Sequence, residues 1–188
     1  AVKKFLADLE RSKETRFVPE KIVASTYGKF DEKIAIIGGG PAGLSAAYYL
    51  AVMGFTPTVF EKNEKLGGMM MYGIPAYKLE KDVIESEIDV LRELGVEFKT
   101  GVEVGKDITI EQLKKQGYKA FYIAIGCQGG RRPGIENDTA KGTDIAVSYL
   151  KEALDKQVPF KGDVVVVGGG NVAVDCARTA HRLDAKSV

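Results

Sequence analysis

Ile34-Ala35-Ile36-Ile37-Gly38-Gly39-Gly40-Pro41-Ala42-Gly43 opens a stretch that runs to Phe60 without a charged residue and meets its first acid at Glu61. A hydropathy window would read it as a membrane span. The triple glycine, Pro41 and the later Thr56-Pro57-Thr58 break any single helix there. The better parse is a strand over Ile34 to Ile37, a tight turn, a helix over Pro41 to Met53 stopped by Gly54, and a strand over Thr58 to Glu61. A parallel strand buried on both faces is apolar throughout, which accounts for the missing charges.

The alternation continues outward. Ile84, Ile88 and Leu91 share one face of a helix over Lys81 to Leu94, with Gly95 after it. Val96 to Lys99 reads as a strand. Thr109-Ile110-Glu111-Gln112 has the capping-box pattern for a helix to Gln116. Lys119 to Ile125 is an apolar strand and Thr143 to Leu154 a helix. Val164 to Val167, four valines in a row, reads as a strand. It feeds Gly168-Gly169-Gly170 and a helix from Asn171 to about Leu183. Before all this, Val2, Phe5, Leu6 and Leu9 predict a short amphipathic helix, then a linker through Pro19 and Gly28. Charges break up its apolar positions, so it is no secretory signal. Strands alternating with helices define the α/β class with a mainly parallel sheet and helices on both faces.

Composition narrows the function. The 188 residues carry 27 Lys+Arg and 26 Asp+Glu, a net charge of +1, which provides no basic field for nucleic acid. Two cysteines cannot make a disulfide framework, so a reducing, cytoplasmic compartment is the simpler expectation. Glycine is in excess, 22 of 188 residues, about 12% against an ordinary ~7%. The excess sits at turns.

Gly38-x-Gly40-x-x-Gly43 follows a strand and opens a helix, the context a dinucleotide fingerprint requires. Gly38 permits the tight turn, Gly40 lets a pyrophosphate approach the backbone, and Gly43 lets helix and strand pack closely. Free N–H groups at the helix N-terminus, around Ala42 and Gly43, favour an anion there. Pro41 loses an N–H that has no helical partner. Glu61 ends the second strand, where a carboxylate accepts hydrogen bonds from a ribose. The alternative is a structural glycine turn with an unrelated glutamate; strand, helix and terminal acid together favour the nucleotide. Leu66-Gly67-Gly68 suggests a second close approach to a long cofactor, FAD rather than NAD. Gly168-x-Gly170-x-x-Ala173 is a second fingerprint, with alanine in the third place. It binds a nucleotide or is merely a second structural turn.

Residues 33–80, with the runs GGGPAGLSAAYYL, TVFEKNEKLGG and MMMYGIPAYKL, resemble the small (beta) subunit of NADPH-dependent glutamate synthase. The flavin domain of dihydropyrimidine dehydrogenase and the large subunit of NADH-dependent ferredoxin:NADP oxidoreductase are similar. Tyr72 to Pro75 is the most specific part, and the resemblance extends through GGGNVAVDCARTAHRLDAKSV to the last residue. It implies a Rossmann-like FAD/NAD(P)-binding fold. It implies that FAD is held by Gly38 to Gly43, by Glu61, Lys62, Gly68, Met69 and Lys78, by the backbone near Val104, and by Gly126. Lys78 stands where the family often has arginine, keeping the charge but not the planar fork. Ala124-Ile125-Gly126 stands where the family has alanine-threonine-glycine. The resemblance makes Gly168, Gly169, Gly170, Asn171 and Val172 the NAD(P)H turn, with NADPH the usual choice.

Its implied organisation is 1–30 as helix and linker, 31–140 as an FAD domain lacking its C-terminal part, and 141–188 as the start of an NAD(P)H domain. The chain would then be a fragment of a larger two-dinucleotide-domain protein, passing hydride from NAD(P)H to FAD and electrons on to iron–sulfur centres. Those centres would lie in missing segments or in a partner such as a glutamate synthase large subunit or ferredoxin. The missing strands predict exposed sheet edges that a partner or a second copy covers. A non-catalytic nucleotide-binding or assembly module, or a ferredoxin:NADP oxidoreductase-type subunit, is the alternative.

No acid–base catalyst is expected, because the chemistry belongs to the cofactors. Cys127 and Cys176 lie too far apart in the chain for a redox CxxC pair. No metal ligand set is present, and His181 reads as a surface helix residue. Met69, Met70 and Met71 line a flavin pocket or fill core.

Overall fold

In a computed structural model of the chain, residues 2–21, 30–156 and 162–188 are described. The expected linker glycine, Gly28, lies outside them. The chain folds as two compact units, residues 1–67 with 82–125, and residues 68–81 with 126–188.

The first unit is built on a four-stranded, all-parallel sheet in the order β3-β2-β1-β4. Its strands are β1 (Lys33–Ile37), β2 (Pro57–Glu61), β3 (Glu97–Thr100) and β4 (Tyr118–Ile123). β1 and β2 are central and buried almost throughout. This is why they carry no polar alternation. Ile34 pairs with Pro57 and Ile37 with Phe60, so both strands end level with the glycine turn. The stretch read as a false membrane span is therefore β1, the turn, α2 (Pro41–Val52) and β2. Among the described residues no helix is long and apolar enough to cross a membrane.

Helix α1 (Val2–Arg11) forms as expected, but none of its residues is buried. Arg11 pairs with Asp82 at 3.1 Å and Arg16 with Glu87 at 3.1 Å, both partners lying on α4 (Lys81–Glu93). Ile84, Ile88 and Leu91 form the buried face of α4. Helix α5 (Ile110–Lys115) starts with a complete capping box. Gln112 N–H donates to Thr109 Oγ1 at 3.2 Å, and Thr109 N–H donates to Gln112 Oε1 at 2.7 Å. Leu113, from α5, joins Ala35, Phe60 and Tyr118 in a core cluster on one face of the sheet. Tyr118 O–H donates to Thr58 Oγ1 at 3.1 Å, and Thr58 donates to Glu97 Oε2 at 3.0 Å. That chain of bonds ties β4, β2 and β3 together.

The second unit contains α3 (Met69–Tyr72), α6 (Ala146–Lys156) and α7 (Asn171–Arg182). The short helix α3 was not foreseen, and α6 begins three residues later than its sequence suggests. The expected strand at Val164 to Val167 does not form. Only an isolated parallel bridge, Asp163 with Ser187, stands there. Val165 and Val167 are 87% and 90% exposed. A strand takes its hydrogen bonds and burial from neighbours, and valine propensity alone supplies neither.

Candidate functional site

The first glycine turn is dictated by close packing. Gly38 has φ +109°, and a Cβ there would lie 2.3 Å from the Ala124 carbonyl oxygen. A Cβ on Gly43 would lie 1.9 Å from the Gly38 carbonyl oxygen. Both obstacles are backbone, so neither can move aside. Gly40 caps α2 in extended conformation and accepts Leu44 N–H at 2.9 Å. Pro41 and Ala42, at the start of the helix, are exposed. The first-turn N–H groups of Ala42 and Gly43 have no intrahelical acceptor, and the helix dipole reinforces them.

Glu61 is placed beside this turn and is only 5% exposed. Its Oε2 accepts Gly39 N–H at 2.7 Å. Its Oε1 accepts the Asn63 backbone N–H at 2.9 Å and the Asn63 amide at 2.7 Å. A carboxylate has roughly four acceptor positions, so Oε2 retains one for a ligand hydroxyl. Gly67 N–H donates to Gly39 O at 2.8 Å, which brings the Leu66-Gly67 corner onto the turn. Lys62 is exposed next to Glu61. Val104 is half-buried against the core cluster, and the segment before it is held by Val102 N–H on Glu61 O at 3.0 Å. The first unit thus brings Gly38, Gly40, Pro41, Ala42, Gly43 and Glu61 together. A glycine cradle, free N–H groups and a buried acid with a spare acceptor fit the adenosine and pyrophosphate part of a dinucleotide such as FAD.

The other expected contacts lie in the second unit. Gly68, at φ 55°, caps α3, where Met69 and Met70 are half-buried and Met71 is buried. Lys81 donates from its ammonium to Met70 O at 2.7 Å and to Ile74 O, clamping the Tyr72 to Pro75 segment. Burial pushes the pKa of this lysine down. Lys78 is paired with Asp175. Gly126 is exposed with φ +68°.

In the second glycine turn, Gly168 has φ +138°, while a Cβ on Gly169 or Gly170 would meet nothing within 4 Å. The turn is exposed, as are Asn171 and Val172 at the start of α7. Gly168 is demanded by the backbone, whereas Gly169 and Gly170 are not.

Sequence reasoning missed Asn63, Tyr77, Lys81 and Asp175 as parts of these arrangements. Asp175 left a signal: it interrupts the buried side of α7, formed with Cys176, Thr179 and Ala180.

Cys127 is exposed and Cys176 buried. Burial, then the charge of Asp175, pushes the Cys176 thiol from 9.0 to about 11. Burial also raises the Tyr149 hydroxyl. Both groups hold their protons longer when folded. The stability tied to the Cys176 proton is complete below pH about 9 and is lost as pH rises through the 9 to 11 window. A lower urea midpoint at about pH 10.5 than at about pH 8 is expected. A thiol reagent at about pH 8 should modify Cys127 and spare Cys176. Among the described residues no group of His, Cys, Asp or Glu could hold a metal.

Residues 32–188 match the pyridine nucleotide-disulphide oxidoreductase family, and the chain belongs to it. Within that class it is 44% identical over 173 residues to the NADP(+)-dependent formate dehydrogenase subunit beta of Moorella thermoacetica, covering 90% of this chain and 24% of that protein. It is 40% identical to the glutamate synthase [NADPH] small chain of Bacillus subtilis, covering 96% of this chain and 38% of that one. The chain thus spans between about a quarter and two fifths of these relatives' length. Mycobacterium tuberculosis FprA in complex with NADPH superposes with a TM-score of 0.65 at 24% identity, over 78% of this chain and 36% of that one. Lactococcus lactis thioredoxin reductase superposes at 0.53 with 25% identity, over 80% and 53%. These likenesses establish the FAD/NAD(P)-binding oxidoreductase fold.

Proposed function

We propose that the chain is the FAD-binding portion of an NAD(P)H-dependent flavin oxidoreductase, with NADPH as the preferred donor. The observation that carries this is the first turn, where backbone fills both Cβ positions and the buried Glu61 carboxylate receives Gly39 N–H. A turn built this way leaves first-turn N–H groups without helical acceptors and a carboxylate with a spare acceptor position, which is more than a structural corner needs.

In this reading Gly38 to Gly43 and Glu61 hold the adenosine half of FAD, with Lys62 and the backbone near Val104 beside it. Gly68, Met69, Lys78 and Gly126 supply the remaining flavin contacts. Gly168, Gly169, Gly170, Asn171 and Val172 receive the pyrophosphate of NAD(P)H. Residues 31–140 belong to the flavin domain and 141–188 open the nicotinamide domain. Bound flavin supplies the redox chemistry, taking up a hydride and releasing electrons onward; the protein binds, orients and excludes water. The words subunit and small chain in the relatives' names support an acceptor in another chain; an iron–sulfur partner of the glutamate synthase large-subunit or ferredoxin kind is our reading of what that chain carries. A cytoplasmic, reducing setting agrees with two unpaired cysteines.

The test is reconstitution. Purified chain mixed with FAD and passed through a desalting column should retain the visible flavin spectrum. NADPH with an artificial acceptor should then give diaphorase turnover. Chain that emerges colourless sinks the reading. Retained flavin with no turnover favours the non-catalytic nucleotide-binding module.

A further inference from the structure

The C-terminal half of α7 carries a basic cluster that lies wholly within the second unit. Arg178 and Arg182 are spaced i and i+4, and so share one side of the helix. Each places its guanidinium carbon 4.3 Å from the centroid of the Tyr77 ring, so the two carbons lie within twice that distance of each other. Tyr77 belongs to the same unit. An open pocket of about 520 Å³ is lined by Arg178, His181 and Arg182, with Ala177 and Val188 as its apolar part.

The helix dipole accounts for basic residues in a last turn, here His181 and Arg182. It does not account for Arg178, or for two like charges gathered on one ring. A ring attracts a cation but gives its N–H groups no oxygen acceptor. Among the described residues no carboxylate or carbonyl accepts from either guanidinium. Asp175, one turn before Arg178, is paired with Lys78. The ring contacts also restrict two long stems that otherwise sample many rotamers. Two planar forks of five donors each are thus held close together without an acceptor.

We propose that Arg178, Arg182 and the Tyr77 ring form a binding site for a phosphate dianion, free or carried by a small organic phosphate. Two guanidiniums supply two positive charges, which a dianion matches and a single carboxylate does not. Each fork suits bidentate bonding to phosphate oxygens, and His181 adds a donor at the rim. The pocket exceeds a lone phosphate and has the size of a small-molecule site, so an ester group has room against Ala177 and Val188. Helix α7 is 12 residues long, roughly 18 Å, which sets the cluster apart from the glycine turn at its other end. The site is independent of the flavin reading above.

Isothermal titration of the full chain tests it, with inorganic phosphate and glycerol 3-phosphate as probes and chloride at matched ionic strength as the blank. The wild type should show saturable binding. Arg178→Gln and Arg182→Gln should each weaken it roughly ten-fold or more, the scale of one lost charge-assisted hydrogen bond. Arg182→Lys keeps the charge but not the fork and should weaken it as well. Both arginines are exposed, so the variants should fold, which melting curves verify. Absence of saturable binding with both probes overturns the proposal. So does binding that the Gln variants leave unchanged, which would place the anion at a glycine turn instead. Arg182→Lys binding as tightly as the wild type overturns it too, since a diffuse positive field would then suffice. With the Gln variants weakened, tighter binding of the ester supports the site and assigns it to a phosphorylated small molecule; tighter binding of the ion supports it and assigns it to free phosphate.

Discussion

Replacing Gly43 by alanine should destabilise the first unit by roughly 3–5 kcal/mol and abolish FAD uptake. The added methyl would stand 1.9 Å from the Gly38 carbonyl oxygen, so α2 must move off β1. Gly38→Ala should be comparably severe, because it combines φ +109° with a Cβ 2.3 Å from the Ala124 oxygen. Against a typical total of ~5–15 kcal/mol, either loss leaves a marginal fold. Gly39→Ala provides the internal control. Its Cβ would meet only side-chain atoms, Leu66 Cδ2 at 2.6 Å and Glu61 Cβ at 3.2 Å, which shift at lower cost than backbone even though Leu66 is buried. Urea unfolding should therefore rank Gly39→Ala as the mildest of the three. Equal losses at all three positions would contradict the packing account.

Glu61→Ala should cost on the order of 3–5 kcal/mol, since it strips three donors of a buried acceptor. Glu61→Gln is the sharper experiment. Its carbonyl oxygen can still accept from Asn63, but its NH2 then faces Gly39 N–H, donor against donor. A loss of roughly 1–3 kcal/mol is expected, with FAD affinity falling further than stability alone explains, because the spare acceptor on Oε2 becomes a donor. Unfolding midpoints and FAD titrations on the same samples separate the two effects. A Glu61→Gln chain with unaltered FAD affinity would remove this carboxylate from the nucleotide site.

Much of the first unit is legible in the sequence because its information is local. An uncharged run with a glycine turn inside it reads as a buried strand, a turn and a helix that buries one side. Gly95 and the Thr109 to Gln112 capping box end and start helices through bonds only a few residues long. The place of Glu61 at the end of a strand, beside the glycine turn, is legible in the sequence. That its oxygens hold Gly39 and Asn63 was not readable, because the Gly39 bond depends on how β1 and β2 register. Lys78 was read as a cofactor contact from resemblance, but its partner Asp175 lies far along the chain, where no spacing rule reaches.

The valines at 164–167 show the limit of propensity. Their branched side chains favour extended backbone, yet ladder and burial come from neighbouring strands, and the described residues provide only the bridge of Asp163 with Ser187. By itself the sequence determined the α/β class, the two glycine turns and the acid that accompanies the first, because hydrophobic period and glycine conformation act over a few residues. Only the tertiary structure decided which glycines the backbone demands, which valines pair, and which carboxylate holds Lys78. Those outcomes depend on atoms brought within a few ångströms from distant parts of the chain.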